Sequence, residues 1–152
     1  MKVVSNTSPL IGLSNIGKLG ILHEVFGKVF IPPAVRREFG EELPKWIEVT
    51  PPENRPLVSA LSKLLGAGES EAIALAIDLG ADFLILDDLK ARKIARELGI
   101  NVIGTAGVLL LARKRGIVDE IKPLLTLLVE KGFRISDDVI RVILKAAGEL
   151  NE

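Results

Sequence analysis

An α/β domain built on a mostly parallel sheet is the fold class that the sequence predicts, on three observations. Short β-branched or apolar runs alternate with segments of helical spacing, each run stops at a turn rich in polar residues, proline or glycine, and acidic residues collect where strands end and helices begin. The expected sheet has about four to five strands flanked by helices. Residues 68–88, GESEAIALAIDLGADFLILDD, carry the whole pattern: a helix with Glu69 and Glu71 at its start feeds a strand that ends at Asp87 and Asp88. In a right-handed crossover the helix runs antiparallel to the strands, so helix starts and strand ends share one rim of the sheet. Open α/β sheets bind ligands at that rim.

Taken in order, residues 2–5 form a β-branched run that stops at Asn6-Thr7-Ser8-Pro9, a polar cluster with proline in a first helical turn. Asn6 is thereby placed at a strand's carboxyl end. Helical spacing through Leu10, Ile11, Leu13 and Ile16 is broken by Gly17 and Gly20, and a second apolar helix follows with Ile21, Leu22, Val25 and Phe26. Residues 28–31 make the second strand, and Pro32-Pro33 end it and open a helix that carries Glu38. Residues 40–55 read as a connection or an edge strand around Ile47 to Val49. Helical spacing resumes over 57–65, and 83–86 is a continuous apolar run, as expected for a strand covered on both faces. A further helix over 90–98 stops at Gly99, and Asn101-Val102-Ile103 is the next strand. Gly104-Thr105 then turns the chain into a helix over 108–115. Residues 119–130 and 136–150 read as two last helices, the second capped by Ser136.

With 152 residues, 48% of them apolar, the chain matches one domain, expected over 1–152. No apolar run is long enough to span a bilayer and the first residues lack a secretory core, so the expectation is a cytoplasmic protein with no membrane partner. The absence of cysteine removes disulfides, thiolate zinc sites and thiol nucleophiles. The single histidine, His23, lies in the apolar helical stretch LGILHEVFG and reads as structural. Chemistry therefore rests on carboxylates, hydroxyls, amides and basic groups, which suit hard cations with oxygen ligands. Net charge is formally zero, so no global field points to nucleic acid.

On a parallel sheet, Asn6, Asp87 and Asp88 fall at strand ends, Glu69 and Glu71 at a helix start, and Glu38 in the opening turns of another helix. Carboxylates crowded together repel and raise one another's pKa unless a cation neutralises them. Mg²⁺ or Mn²⁺ is the natural guest, and such a site supports phosphodiester hydrolysis without histidine. The plainer reading is that acids at helix starts complement the dipole and that Asp87-Asp88 caps the next helix. Arg36 and Arg37 flank Glu38, and Lys90, Arg92, Lys93 and Arg96 follow Asp88, as a set of phosphate contacts or as solvated helix faces.

Ser5-Asn6-Thr7-Ser8-Pro9-Leu10-Ile11, Glu38 within VRREF, GESEAIALA and LILDD, in this order and spacing, resemble the PIN domain. More narrowly, the chain is similar to prokaryotic PIN-like proteins that open with SNTSPLI or SDTSPLI. The resemblance runs over residues 2–116 and leaves 117–152 as C-terminal helices. It implies a three-layer fold, a ribonuclease that uses Mg²⁺ or Mn²⁺, an RNA substrate and, as in many members, a toxin paired with an antitoxin protein. Carried over by position, the metal ligands are Asn6, Glu38, Glu69 and Asp88, the three acids among them being catalytic. Thr7, Glu71, Asp87 and Thr105 are supporting, with Glu71 competing with Glu69 for the third position. Asn6 departs from the family pattern: an amide keeps an oxygen ligand but removes a negative charge.

Two other readings stand beside the nuclease. One is a degenerate PIN-like module that binds RNA or a protein without cleavage, motivated by Asn6. The other is a receiver-like phosphate acceptor using Asp87 and Asp88. The last helices present Ile121, Leu124, Leu125, Leu128, Ile140, Ile143 and Leu144 on one side, to complete the core or to form a homodimer surface. A homodimer is the expectation.

Overall fold

The apolar runs become one wholly parallel sheet of five strands in the order β3-β2-β1-β4-β5. In chain order the elements are β1 (Val3–Ser5), α1 (Thr7–Asn15), α2 (Gly20–Phe26), β2 (Val29–Ile31), α3 (Pro33–Phe39), β3 (Ile47–Val49) and α4 (Arg55–Leu61). They continue as α5 (Ala67–Leu79), β4 (Phe83–Ile85), α6 (Leu89–Glu97), β5 (Val102–Ile103), α7 (Thr105–Lys114), α8 (Lys122–Glu130) and α9 (Asp137–Ala147). This is a computed structural model that describes residues 1–150; positions 151 and 152 of the expected 1–152 domain lie outside the described residues. Helices flank the sheet in the three-layer α/β arrangement that was expected.

β1 is the central strand. The chain lays β2 and β3 to one side of it, crosses back, and lays β4 and β5 on the other, so the strand order reverses between β1 and β4. That is the switch point where open α/β sheets leave a crevice. The two strand ends are tied together there, because the Asn6 backbone N–H donates to Ile85 O at 2.9 Å.

Val3, Val4, Leu84, Ile85 and Leu86 are fully buried, as both faces of the central strands are covered. α5 packs along β1 and β4 and against α3 and α4. Its run Ala72-Ile73-Ala74-Leu75-Ala76 is buried on every side, which explains why its apolar residues are not confined to one stripe. Residues 40–55 resolve into an edge strand: β3 pairs with β2 through Val29↔Ile47 and Ile31↔Val49, and Pro44, Pro51 and Pro52 keep it short. The helix expected over 57–65 ends at Leu61, since residues 62–65 close a hydrogen-bonded turn on Ala60 O and Leu61 O.

α8 begins at Lys122, with Pro123 in its first turn. Ser136 caps α9, its Oγ accepting from the Val139 N–H at 3.2 Å. α8 packs on α1 and α9 on α7, burying Ile121, Leu124, Leu125, Leu128 and Leu144 and leaving Leu127, Val129, Val139 and Val142 exposed. His23 stacks on Trp46, with ring centroids 5.3 Å apart, and its Nδ1 lies 3.0 Å from Gly27 O. Among the described residues no helix is long and apolar enough to cross a membrane.

Candidate active site

Asn6 occupies the switch point, at the carboxyl end of β1 and the N-cap of α1. Its side chain is buried, and Oδ1 has no hydrogen-bond partner among the described residues. A buried acceptor without a partner costs about 1–3 kcal/mol, so native proteins retain few of them. The adjacent Thr7 is also buried, and its Oγ1 donates to Glu38 Oε1 at 2.7 Å.

Glu38 is held from two sides. Its Oε2 accepts the Gly68 N–H at 3.0 Å, one of the free donors in the first turn of α5. α5 returns the contact: Glu71 Oε1 accepts the Ala34 N–H at 3.1 Å in the first turn of α3. Two helices that start at the same rim thus satisfy each other's N-termini. Space as well as charge sets this contact, because a Cβ at Gly68 would lie 2.5 Å from Glu38 Oε1. Any larger residue at 68 would push the Glu38 carboxylate out of this seat.

Glu69 and Glu71 separate although only Ser70 divides them. Two residues advance a helix by about 200°, so the two side chains leave α5 in different directions. Glu71 goes into the α3 contact, buried and 3.9 Å from the Arg55 guanidinium. Glu69 faces the acid cluster. Burial, the nearby Asp88 and Glu38 charges and a hydrogen bond with Asp88 push its carboxyl above the usual range, against a smaller opposing effect of the Gly66 N–H. Asp88 caps α6, with Oδ2 accepting from the Ala91 N–H at 2.9 Å, and stays exposed to solvent. Glu69 and Asp88 line an open depression of about 390 Å³ together with Lys63, Leu64 and Lys90.

Asp87 turns the other way. Oδ1 accepts the Thr105 N–H at 2.8 Å, and Oδ2 accepts the hydroxyls of Thr105 at 2.7 Å and Ser8 at 3.1 Å. It joins the β4–α6 turn to the starts of α7 and α1 and leaves Asp88 alone to face the depression. Arg92 belongs to the same node: its guanidinium donates to Leu86 O at 3.1 Å, and burial, with Arg96 close by, lowers its pKa. Arg36, Arg37, Lys90, Lys93 and Arg96 are exposed. Ser8 and Gly68 are site residues that the sequence reading did not single out. Ser8 lies in the polar cluster after β1, and Gly68 directly precedes Glu69.

The residues at the rim fit a hard divalent cation by the chemistry of their donors. Asn6 offers an orphaned buried oxygen, and Glu38, Glu69 and Asp88 offer three carboxylates, with Glu69 close enough to the other two to feel both charges. Among the described residues no three acidic or imidazole groups are already drawn into a cage. The cause is visible: Glu38 is turned onto Gly68 and Thr7, and Asp88 onto Ala91, so each acid rests on the nearest N–H or O–H donor.

The family model DUF3368, a PIN domain, matches residues 2–149. No curated protein and no solved structure gives a match. Around the switch point of its parallel five-stranded sheet the chain carries acids from three segments, α3, α5 and the β4–α6 turn, and the amide of Asn6 from a fourth. The chain belongs to the PIN domain family, a membership that suggests nuclease chemistry.

Proposed function

We propose that this chain is a metal-dependent endoribonuclease that hydrolyses RNA phosphodiester bonds at Mg²⁺ or Mn²⁺. In this reading it is a cytoplasmic toxin held by an antitoxin protein, and it acts as a homodimer. The observation that carries the reading is the buried, unpartnered Asn6 Oδ1 at the switch point, on the sheet rim where Asp88 and Glu38 raise the Glu69 carboxyl. A divalent cation relieves both penalties at once. The narrower placement among proteins that open with SNTSPLI or SDTSPLI rests on residues 5–11.

Asn6, Glu38, Glu69 and Asp88 would hold the ion. When bound, it supplies Lewis-acid polarisation of the phosphate and a nucleophilic water near neutral pH. Thr7 fixes Glu38, and Gly68 leaves room for it. Asp87, tied to Thr105 and Ser8, sets the turn from which Asp88 projects. Arg36, Arg37, Lys90, Lys93 and Arg96 take RNA phosphates, while Arg92 braces the strand end through Leu86 O. Glu71 supports the site through the start of α3 rather than as a ligand. The outward residues Leu127, Val129, Val139 and Val142 form the dimer face.

The test is cleavage of single-stranded RNA with Mg²⁺ or Mn²⁺, with EDTA, and with Glu38→Ala and Asp88→Ala. Cleavage that survives EDTA or both substitutions overturns the reading. A second reading, an RNA- or protein-binding PIN module without cleavage, is favoured by the neutral amide of Asn6, and metal-independent RNA binding without product would support it. A neighbouring reading frame whose product copurifies with the chain and stops cleavage would establish the antitoxin, and sedimentation at micromolar concentration tests the dimer.

A further inference from the structure

We propose that the turn between α4 and α5 supplies a nucleotide subsite: Leu64 packs against the base beside the scissile phosphate, and Lys63 takes a phosphate. The inference rests on the nuclease reading and extends it to residues outside the acid cluster.

Three features meet in the depression that holds Glu69 and Asp88. Leu64 projects into solvent there, 55% exposed, and among the described residues it is the one large exposed apolar side chain that lines this depression. Its exposure is imposed by the fold. The Leu64 and Leu65 N–H groups both donate to Leu61 O at 2.9 Å, and the Ser62 hydroxyl donates to Val58 O at 2.7 Å, while Leu61 anchors the turn in the core. Lys63 and Lys90 line the same depression, and neither forms an ion pair among the described residues.

A nucleotide has complementary chemistry, with a flat apolar base face, an anionic phosphate and a bond to be cut. The depression measures about 390 Å³. That falls in the range of small-ligand clefts, about 300–1,000 Å³. Leu64 has no hydrogen-bonding group, so it grips any base by its face and reads none of the edges. A base stacked inside a duplex has both faces covered by its neighbours, which directs the subsite to an unstacked, single-stranded nucleotide.

The experiment measures binding of the full chain to an eight-nucleotide oligouridylate and to an abasic ribose-phosphate oligomer of equal length. Fluorescence anisotropy is read with Ca²⁺ replacing Mg²⁺, and gels confirm that the RNA stays intact. Leu64→Ser is expected to weaken oligouridylate binding about three- to fivefold, as partial burial of one aliphatic side chain is lost, and to leave the abasic oligomer unchanged. Lys63→Ala should weaken both and lower the slope of log Kd against log salt by about 0.7, the loss of one single-strand phosphate contact. Both side chains are exposed, so melting temperature should not move. Equal losses on both oligomers for Leu64→Ser, or an unchanged salt slope for Lys63→Ala, overturn the subsite. If the unmodified chain binds and cleaves RNA but the variants behave like it, the subsite alone falls. If the unmodified chain neither binds nor cleaves, the nuclease reading falls and takes the subsite with it.

Discussion

Glu69 and Glu149 are the same side chain at two helix N-termini, and their carboxyls move in opposite directions. Glu149 reaches back from beyond α9 to the start of α8. Burial alone would raise its pKa, but the N–H groups of Ile121 and Lys122, each 3.0 Å away, and Arg113 at 3.3 Å hold it below the usual range. Glu69 lies in the first turn of α5 with acids for neighbours, and burial together with Asp88 raises it. The first is a carboxylate whose donors are all supplied by the fold. The second is one whose counter-charge the fold omits, and that shortfall separates a candidate site from a structural latch.

The comparison can be broken at several points. The largest effect is expected for Asp88→Ala, which should lower RNA cleavage on the order of a hundred- to thousandfold, read in single-turnover assays, with a stability loss of only about 1 kcal/mol in urea titration from the missing α6 cap. Glu149→Ala should do the reverse. Cleavage per folded molecule should hold while stability drops by about 2–3 kcal/mol in urea titration, because two N–H donors and Arg113 lose a charged acceptor. Gly68→Ala places a Cβ against the Glu38 carboxylate, and it should weaken Mn²⁺ binding by calorimetry on the order of tenfold while the helix itself gains propensity. Asn6→Asp should raise Mn²⁺ affinity on the order of tenfold, seen as a larger metal-induced rise in melting temperature. In EDTA its melting temperature should fall, since the new charge is buried.

The smallest effect is a pH signature. Because the folded Glu69 carboxyl binds its proton more tightly than the unfolded one, metal-free stability should fall as pH rises from the ordinary glutamate range through the raised value. Glu69→Gln should remove that decline. Glu149 has the opposite sign: its contribution is present above the ordinary range and is lost as pH falls through the lowered folded value. Urea midpoints across acid pH for both glutamine variants distinguish the two. Parallel pH curves would erase the contrast.

Much of the frame was legible because it depends on local chemistry. The helix caps at Asn6 and Asp88, the helix start at Pro33, the Ser136 cap and the strand within 83–86 follow from period, proline placement and capping. The gathering of Asn6, Glu38, Glu69 and Asp88 at one rim follows from parallel topology. What stayed hidden was the direction of each side chain within that rim. Glu71 competed with Glu69 for the third position and Asp87 stood beside Asp88 as a supporting acid, yet one accepts the Ala34 N–H and the other binds Thr105 and Ser8. Arg92 looked like its basic neighbours, yet it turns onto Leu86 O.

By itself, then, the sequence determined the α/β class, the order of elements and which acids reach the carboxyl edge, because periodicity and capping act over a few residues at a time and crossovers between parallel strands share one hand. Only the tertiary structure decided which of those acids are already satisfied and which are not. The donors that satisfy Glu38, Glu71, Asp87 and Glu149 come from segments between 18 and 79 residues away. The oxygen that has no donor, Asn6 Oδ1, could be recognised only after every such contact was in place.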